Sequence, residues 1–219
     1  EALNTQLTEV VLKRYLPPDL VDQIVSGETS IDQKPEGITG TILFSDLAGF
    51  TDLSEQLRAS KLARILNEYL AEMVQVIYEH GGTIDKFIGD AIMVIFGAPT
   101  AMAGQDQAKR AATCALAMQG RMAGLNQKWS EQKIPELNMR IGIHHGPIVV
   151  GTFGCEERSD YTAIGPTVNM ASRIEAACKP GEVLVSGQLC DLLPPTITED
   201  AGSFELKGID GEQRLYKLV

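Results

Sequence analysis

TIDKFIGDAIMVIF (83–96) holds two β-prone apolar runs, Thr83–Ile88 and Ala91–Phe96, separated by Gly89-Asp90. A two-residue link of this kind closes a β-hairpin, which puts Asp90 at the tip. Upstream, Ile38–Phe44 reads as a β-branched strand that stops at Ser45-Asp46 within FSDLAGFT (44–51). Each aspartate is thus expected where an apolar strand breaks into a tight glycine-containing turn. Either one alone is equally well read as a turn former bonding its own backbone. As a pair they suggest a metal site, because strand-end carboxylates are rigidly aimed and can bridge two Mg²⁺ ions about 3.5–4 Å apart. Such a site implies a phosphate-ester substrate.

Between these strands, Leu62, Ile65, Leu66, Tyr69, Leu70, Met73 and Ile77 fall at the spacing of one helical face from Ser60 to His80, and Gly81-Gly82 ends the run. Further on, a helix is predicted over 105–126, strands over Met139–His145 and Tyr161–Ile164, and a helix from Pro166 to about Cys178. The tail supplies Val183–Val185, a helical piece near 187–192, and strands near 203–206 and 214–218. This order predicts an α+β fold: a ferredoxin-like βαββαβ sandwich with helices on one face of an antiparallel sheet and extra C-terminal strands. Residues 3–16 and 19–26 read as two helical pieces split by Pro17-Pro18, followed by a Gly- and Pro-containing stretch. The expected division is an N-terminal helical linker or transducer segment, 1–37, and a core domain, 38–219.

The 219 residues, 44% hydrophobic, suffice for one full core. A net charge of −10 argues against a nucleic-acid surface, which needs a basic footprint. No apolar run approaches the roughly 20 residues needed to cross a bilayer, and no signal peptide stands at the start. Cys114, Cys155, Cys178 and Cys190 lack CxxC spacing and read as reduced, mostly structural thiols, which suits the cytoplasm. The sequence lacks an initiator Met and reads as a fragment. His144-His145 have no third ligand at a suitable spacing and read as strand-end residues, with Trp129 read as packing.

Neither GxGxxG after a first strand nor GxxxxGK[ST] is present, so no Rossmann site or P-loop holds the phosphates. Leu47-Ala48-Gly49-Phe50-Thr51 instead forms a turn leading toward a helix, where backbone N–H groups of Gly49, Phe50 and Thr51 can hold a triphosphate.

FSDLAGFT, GGTIDKFIGDAIMVIFGAP, MRIGIHHGPIVVG and YTAIGPTVNMASRIE, in that order, resemble the successive signatures of the class III nucleotidyl cyclase catalytic domain, from about Thr39 onward. The closest resemblance is to bicarbonate-responsive soluble adenylyl cyclases of the cyanobacterial CyaC type. It implies ATP as substrate, cyclic AMP and pyrophosphate as products, and two Mg²⁺ ions, with Mn²⁺ able to substitute. Asp46, Asp90 and the Leu47 carbonyl would be metal ligands. Lys86 would donate to an adenine ring nitrogen, and Thr162 stands at the second base-reading position, where many adenylyl cyclases carry aspartate. Asn169 would orient the ribose and Arg173 would stabilise the transition state, while Arg140 and Lys207 would contact the β- and γ-phosphates. The resemblance further implies a homodimer with two shared sites, upstream sensor domains, and stimulation by bicarbonate. Two rival readings are a guanylyl cyclase, which Lys86 argues against, and an inactive cyclase-homology module, which the retained Asp46, Asp90, Asn169 and Arg173 argue against.

Overall fold

Alternation along the first strand sorts its side chains between two cores. In β1 (Glu36–Ala48), Leu43 and Leu47 enter one apolar cluster while Ile42 and Phe44 enter another on the opposite face. The computed structural model describes residues 10–30, 34–155 and 157–219. Within them, β1 is flanked by β3 (Ala91–Phe96) and β4 (Asn138–Cys155), both antiparallel to it. β2 (Thr83–Ile88) pairs β3 through a turn at Gly89-Asp90, as the hairpin reading required.

The first cluster is covered by two helices, α3 (Ala59–Glu79) and α4 (Gly104–Ser130). A shorter α2 (Phe50–Gln56) leads into α3, and Gly49, at φ 80°, makes the left-handed turn between β1 and α2 that a side chain would strain. Strand order β2-β3-β1-β4, with α3 and α4 as the crossovers, is the ferredoxin-like βαββαβ core. β6 (Val183–Ser186), β8 (Glu212–Leu218) and β7 (Thr198–Glu205) extend the sheet beyond β4, and β5 (Arg158–Ile164) pairs the distal half of β4. A four-residue helix, Gly187–Cys190, follows β6.

Four expectations need correction. Helices lie on both faces, because α5 (Pro166–Ala177) packs against the face opposite α3 and α4. Gly142 permits this: a Cβ there would stand 2.1 Å from the Glu175 backbone nitrogen and 2.6 Å from the Ala171 carbonyl oxygen. Secondly, β1 does not stop at Phe44 but runs through Asp46 to Ala48. Thirdly, His144 and His145 lie inside β4 and not at its end; they are bonded to Ser186 Oγ and Thr41 Oγ1, each at 2.7 Å. Lastly, of the helix expected over 3–16, residues 3–9 lie outside the described residues, and only 10–12 of the remainder are helical.

The second piece is helical as α1 (Pro18–Val25), with Leu20 and Val21 buried, Leu20 against the α5-side core. Trp129 is fully buried, and its indole N–H donates to Glu68 Oε2 at 3.0 Å. The four cysteines are free, with Cys114 and Cys178 buried. Among the described residues, no helix is long and apolar enough to cross a membrane.

Candidate active site

Period-2 alternation in β1 carries Asp46 to the α5 side of the sheet, and antiparallel register sets it directly opposite Arg140 of β4. Their side chains form an ion pair. Arg140 Nε lies 3.2 Å from Glu175 Oε1, so the guanidinium is shared between a strand carboxylate and a helix carboxylate. Asp90 reaches the same place from the hairpin tip, where its Oδ2 accepts the Leu47 backbone N–H at 3.0 Å.

The cluster is crowded with negative charge. Burial first, and then the Asp46 carboxylate beside it, raises the pKa of Asp90. Burial also pushes Glu175 up to about 7, with Arg140 opposing the shift and Asp46 and Asp90 adding to it. Arg140 is held more firmly protonated than usual by Asp46 and Glu175, against a desolvation that alone would lower it. Among the described residues no three His, Cys, Asp or Glu side chains form a metal-binding group. Asp46 and Asp90 are carboxylates, donors of the kind that suits a hard cation such as Mg²⁺ or Mn²⁺.

A second group of predicted residues assembles separately. Lys86 lies 3.5 Å from Asp85, whose side chain is 1% exposed. Thr162 of β5 donates its hydroxyl to Asp85 Oδ2 at 2.6 Å, and the Ala163 backbone N–H donates to the same oxygen at 3.2 Å. Asp85 therefore draws together the two positions expected to read a base. Burial raises its pKa, with the Thr162 hydrogen bond and Lys86 opposing. Asp85 and Lys86 border an open cleft of about 820 Å³, lined also by Tyr161, Arg158 and Arg14. Beside them on β2, Phe87 and Ile88 are 45% and 56% exposed, and Ile164 on β5 is 47% exposed.

The remaining predicted residues are placed as follows. Asn169 and Arg173 are both exposed on α5, on the side opposite the buried Ala171 and Ile174. Gly49, Phe50 and Thr51 form the β1–α2 junction, with Phe50 buried. Lys207 is exposed in the turn after β7, four strands from β1 in the sheet order. Sequence reasoning missed Asp85 and Glu175. Both lie inside the quoted motifs, but each reads locally as an ordinary surface acid.

The pattern described as "Adenylate and Guanylate cyclase catalytic domain" matches residues 33–219. Adenylate cyclase 1 of Rhizobium meliloti is 39% identical over 182 residues, 82% of this chain and 27% of that protein. An adenylate cyclase of Anabaena cylindrica is 42% identical over 143 residues, 64% of this chain and 27% of that protein. The chain thus spans about a quarter of the length of these relatives. Among solved structures, the adenylyl cyclase CyaB from P. aeruginosa superposes with a TM-score of 0.83 at 41% identity, over 85% of this chain and 96% of that one. The guanylyl cyclase Cya2 gives 0.78 at 36% identity, over 84% and 93%.

Proposed function

Since the chain belongs to the adenylate and guanylate cyclase catalytic domain family, we propose that it converts ATP to 3′,5′-cyclic AMP and pyrophosphate at two sites shared across a homodimer. Relatives that make either product resemble it, so family membership leaves the base open. The observation that favours ATP is the Lys86–Asp85–Thr162 group. Adenine N1 is an acceptor and suits the Lys86 ammonium; guanine N1–H is a donor and does not.

Asp46, Asp90 and the Leu47 carbonyl would hold two Mg²⁺ ions, with Mn²⁺ able to substitute. The residues fit: their donors are all oxygen, and Asp46 already carries a cationic partner in Arg140. Bound there, the metal pair supplies Lewis acidity that lowers the pKa of the 3′-hydroxyl and offsets triphosphate charge. The other steps fall to the chain. N–H groups of Gly49, Phe50 and Thr51 face the triphosphate, and Arg140 exchanges its carboxylate partners for β- or γ-phosphate oxygens, joined by Lys207. Asn169 orients the ribose, so that the 3′-oxygen lies in line with the α-phosphorus. Arg173 stabilises charge that builds on the α-phosphate oxygens as the bond to pyrophosphate lengthens.

The shared-site arrangement is supported by exposure. Asn169 and Arg173 point away from the core, and apolar Phe87, Ile88 and Ile164 surround Lys86 and Thr162, where a second copy would cover them. In this reading residues 38–219 form the catalytic domain, and 1–37 carry a signal from upstream sensor domains. Stimulation by bicarbonate rests on Thr162 and on the resemblance to the bicarbonate-responsive branch of the family, and a flat response across millimolar bicarbonate at fixed pH removes it.

Purified protein assayed with ATP against GTP, with Mg²⁺ or Mn²⁺ against chelator, tests the proposal. Metal-dependent cyclic AMP formation is expected, with GTP the poorer substrate. Faster GTP turnover would refute the choice of base, and metal-independent turnover would refute the site.

A further inference from the structure

β2 and β3 do not pair evenly. Ile84 stands opposite Val94 and Lys86 opposite Met93, so Asp85 is the extra residue of a β-bulge. Bulges re-aim side chains and concentrate beside active sites. This one turns the Asp85 carboxylate off the β2–β3 ladder and toward β5, where Oδ2 takes both the Thr162 hydroxyl and the Ala163 N–H. Its other oxygen, Oδ1, is buried without a hydrogen bond, 3.5 Å from the Lys86 ammonium.

A buried carboxylate with one oxygen doubly bonded and the other facing an ammonium fixes the polarity of both neighbours. A threonine hydroxyl has one hydrogen. With that hydrogen given to Asp85, Thr162 has only lone pairs to offer a base. Lys86 offers only N–H donors. The resulting edge is one donor and one acceptor side by side, the complement of an N1 acceptor beside a 6-amino group, and it mismatches an N1–H donor beside a 6-oxo group.

We propose that Asp85 is the positioning residue for base selectivity, acting through Thr162 and Lys86 to fix an acceptor–donor edge that selects 6-aminopurine over 6-oxopurine nucleotides. The inference rests on the reading of this group as the base-recognition site. Without Asp85 the Thr162 hydroxyl rotates freely and serves either purine. Asp85→Asn is the conservative replacement: its amide oxygen still accepts from Ala163 N–H and Thr162, while its amide nitrogen faces Lys86.

The test is a panel of ATP, purine riboside triphosphate, ITP and GTP with native protein, Asp85→Ala, Asp85→Asn and Thr162→Val, reading kcat and KM separately. Purine riboside triphosphate keeps N1 and lacks only the 6-amino group. Native protein should prefer ATP to it by about tenfold in kcat/KM, within the range of one buried hydrogen bond. Asp85→Ala and Thr162→Val should bring that ratio to within about twofold, and Asp85→Ala should raise the ITP rate relative to ATP. Asp85→Asn should keep the native ratio while KM rises for every nucleotide. An Asp85→Ala protein that is slower on all four nucleotides with the native ratio intact overturns the proposal. If Asp85→Ala does not fold, Thr162→Val with an undiminished ATP preference does the same. Native protein that cyclises ATP and purine riboside triphosphate equally well overturns this inference and leaves the cyclase reading standing. Preference for GTP, or no turnover of any nucleotide, overturns both.

Discussion

Asp46 and Arg140 face each other across β1 and β4, and their side chains are ion-paired. A residue proposed to hold metal and a residue proposed to hold phosphate thus neutralise one another in the nucleotide-free chain. Glu175 shares the guanidinium from α5, so three elements converge on one cation.

On the proposed metal role of Asp46, Arg140 competes with the cation for that carboxylate. Arg140→Gln should tighten Mn²⁺ binding to nucleotide-free protein by roughly threefold to tenfold, because an ion pair of this kind contributes on the order of 1 kcal/mol. The same change should lower kcat by about 100-fold, the usual scale for removing one donor to developing charge. Titration of Mn²⁺ by electron paramagnetic resonance, beside turnover, checks both. Weaker Mn²⁺ binding in the variant would show that Arg140 supports the carboxylates and does not compete for them.

His144 gives a pH prediction. Burial beside Ser186, with His145 adding repulsion, pulls its pKa down to about 4. Between that value and the ordinary value of about 6.5, the unfolded chain takes a proton that the folded chain refuses. The stability His144 contributes is thus fully present above about pH 6.5 and is lost as pH falls to about 4, by up to roughly 3 kcal/mol. Asp90 and Glu175, with raised values, titrate near this window with the opposite sign and flatten the profile of the whole protein. The contrast with His144→Asn isolates the effect. Relative to native protein, the variant should gain roughly 3 kcal/mol in denaturant unfolding on going from pH 7 to pH 4. A constant difference across that range would contradict it.

Gly142 predicts a steric result. Gly142→Ala forces α5 away from β4, since the new methyl would meet backbone and not a flexible side chain. A loss of about 2–3 kcal/mol is expected from urea unfolding. Turnover should fall further than stability, because Asn169, Arg173 and Glu175 all ride on α5. A native-like variant would mean that the helix has slack against the sheet.

What could be read from the sequence was local. The Gly89-Asp90 link fixes its hairpin through its own backbone preferences, and the periodicity from Leu62 to Ile77 is intrinsic to one helix. What could not be read depends on partners distant in sequence. Ser45 and Asp46 look like a strand end because they are polar, yet Ser45 pairs Ile92 and Asp46 pairs Arg140, so the strand continues. Gly146-Pro147 looks like a breaker, yet both residues pair with β1 at Gly40 and Thr39, and β4 runs on to Cys155. Helix placement on both faces follows from Gly142, a glycine whose meaning appears only when α5 lies across it. Asp85 and Glu175 escaped for the same reason. The first is exposed as a bulge only by the register of β3, and the second matters only because Arg140 comes from another element.

The central claim is that each site needs two copies of the chain, one supplying Asp46 and Asp90 and the other Lys86, Thr162, Asn169 and Arg173. Mixing Asp46→Ala protein with Arg173→Ala protein tests it most directly. Each alone should be inactive. Random reassortment makes half of the dimers mixed, each with one intact site of two, so about a quarter of native activity should return. No activity from dimers shown to have exchanged subunits would contradict the shared site.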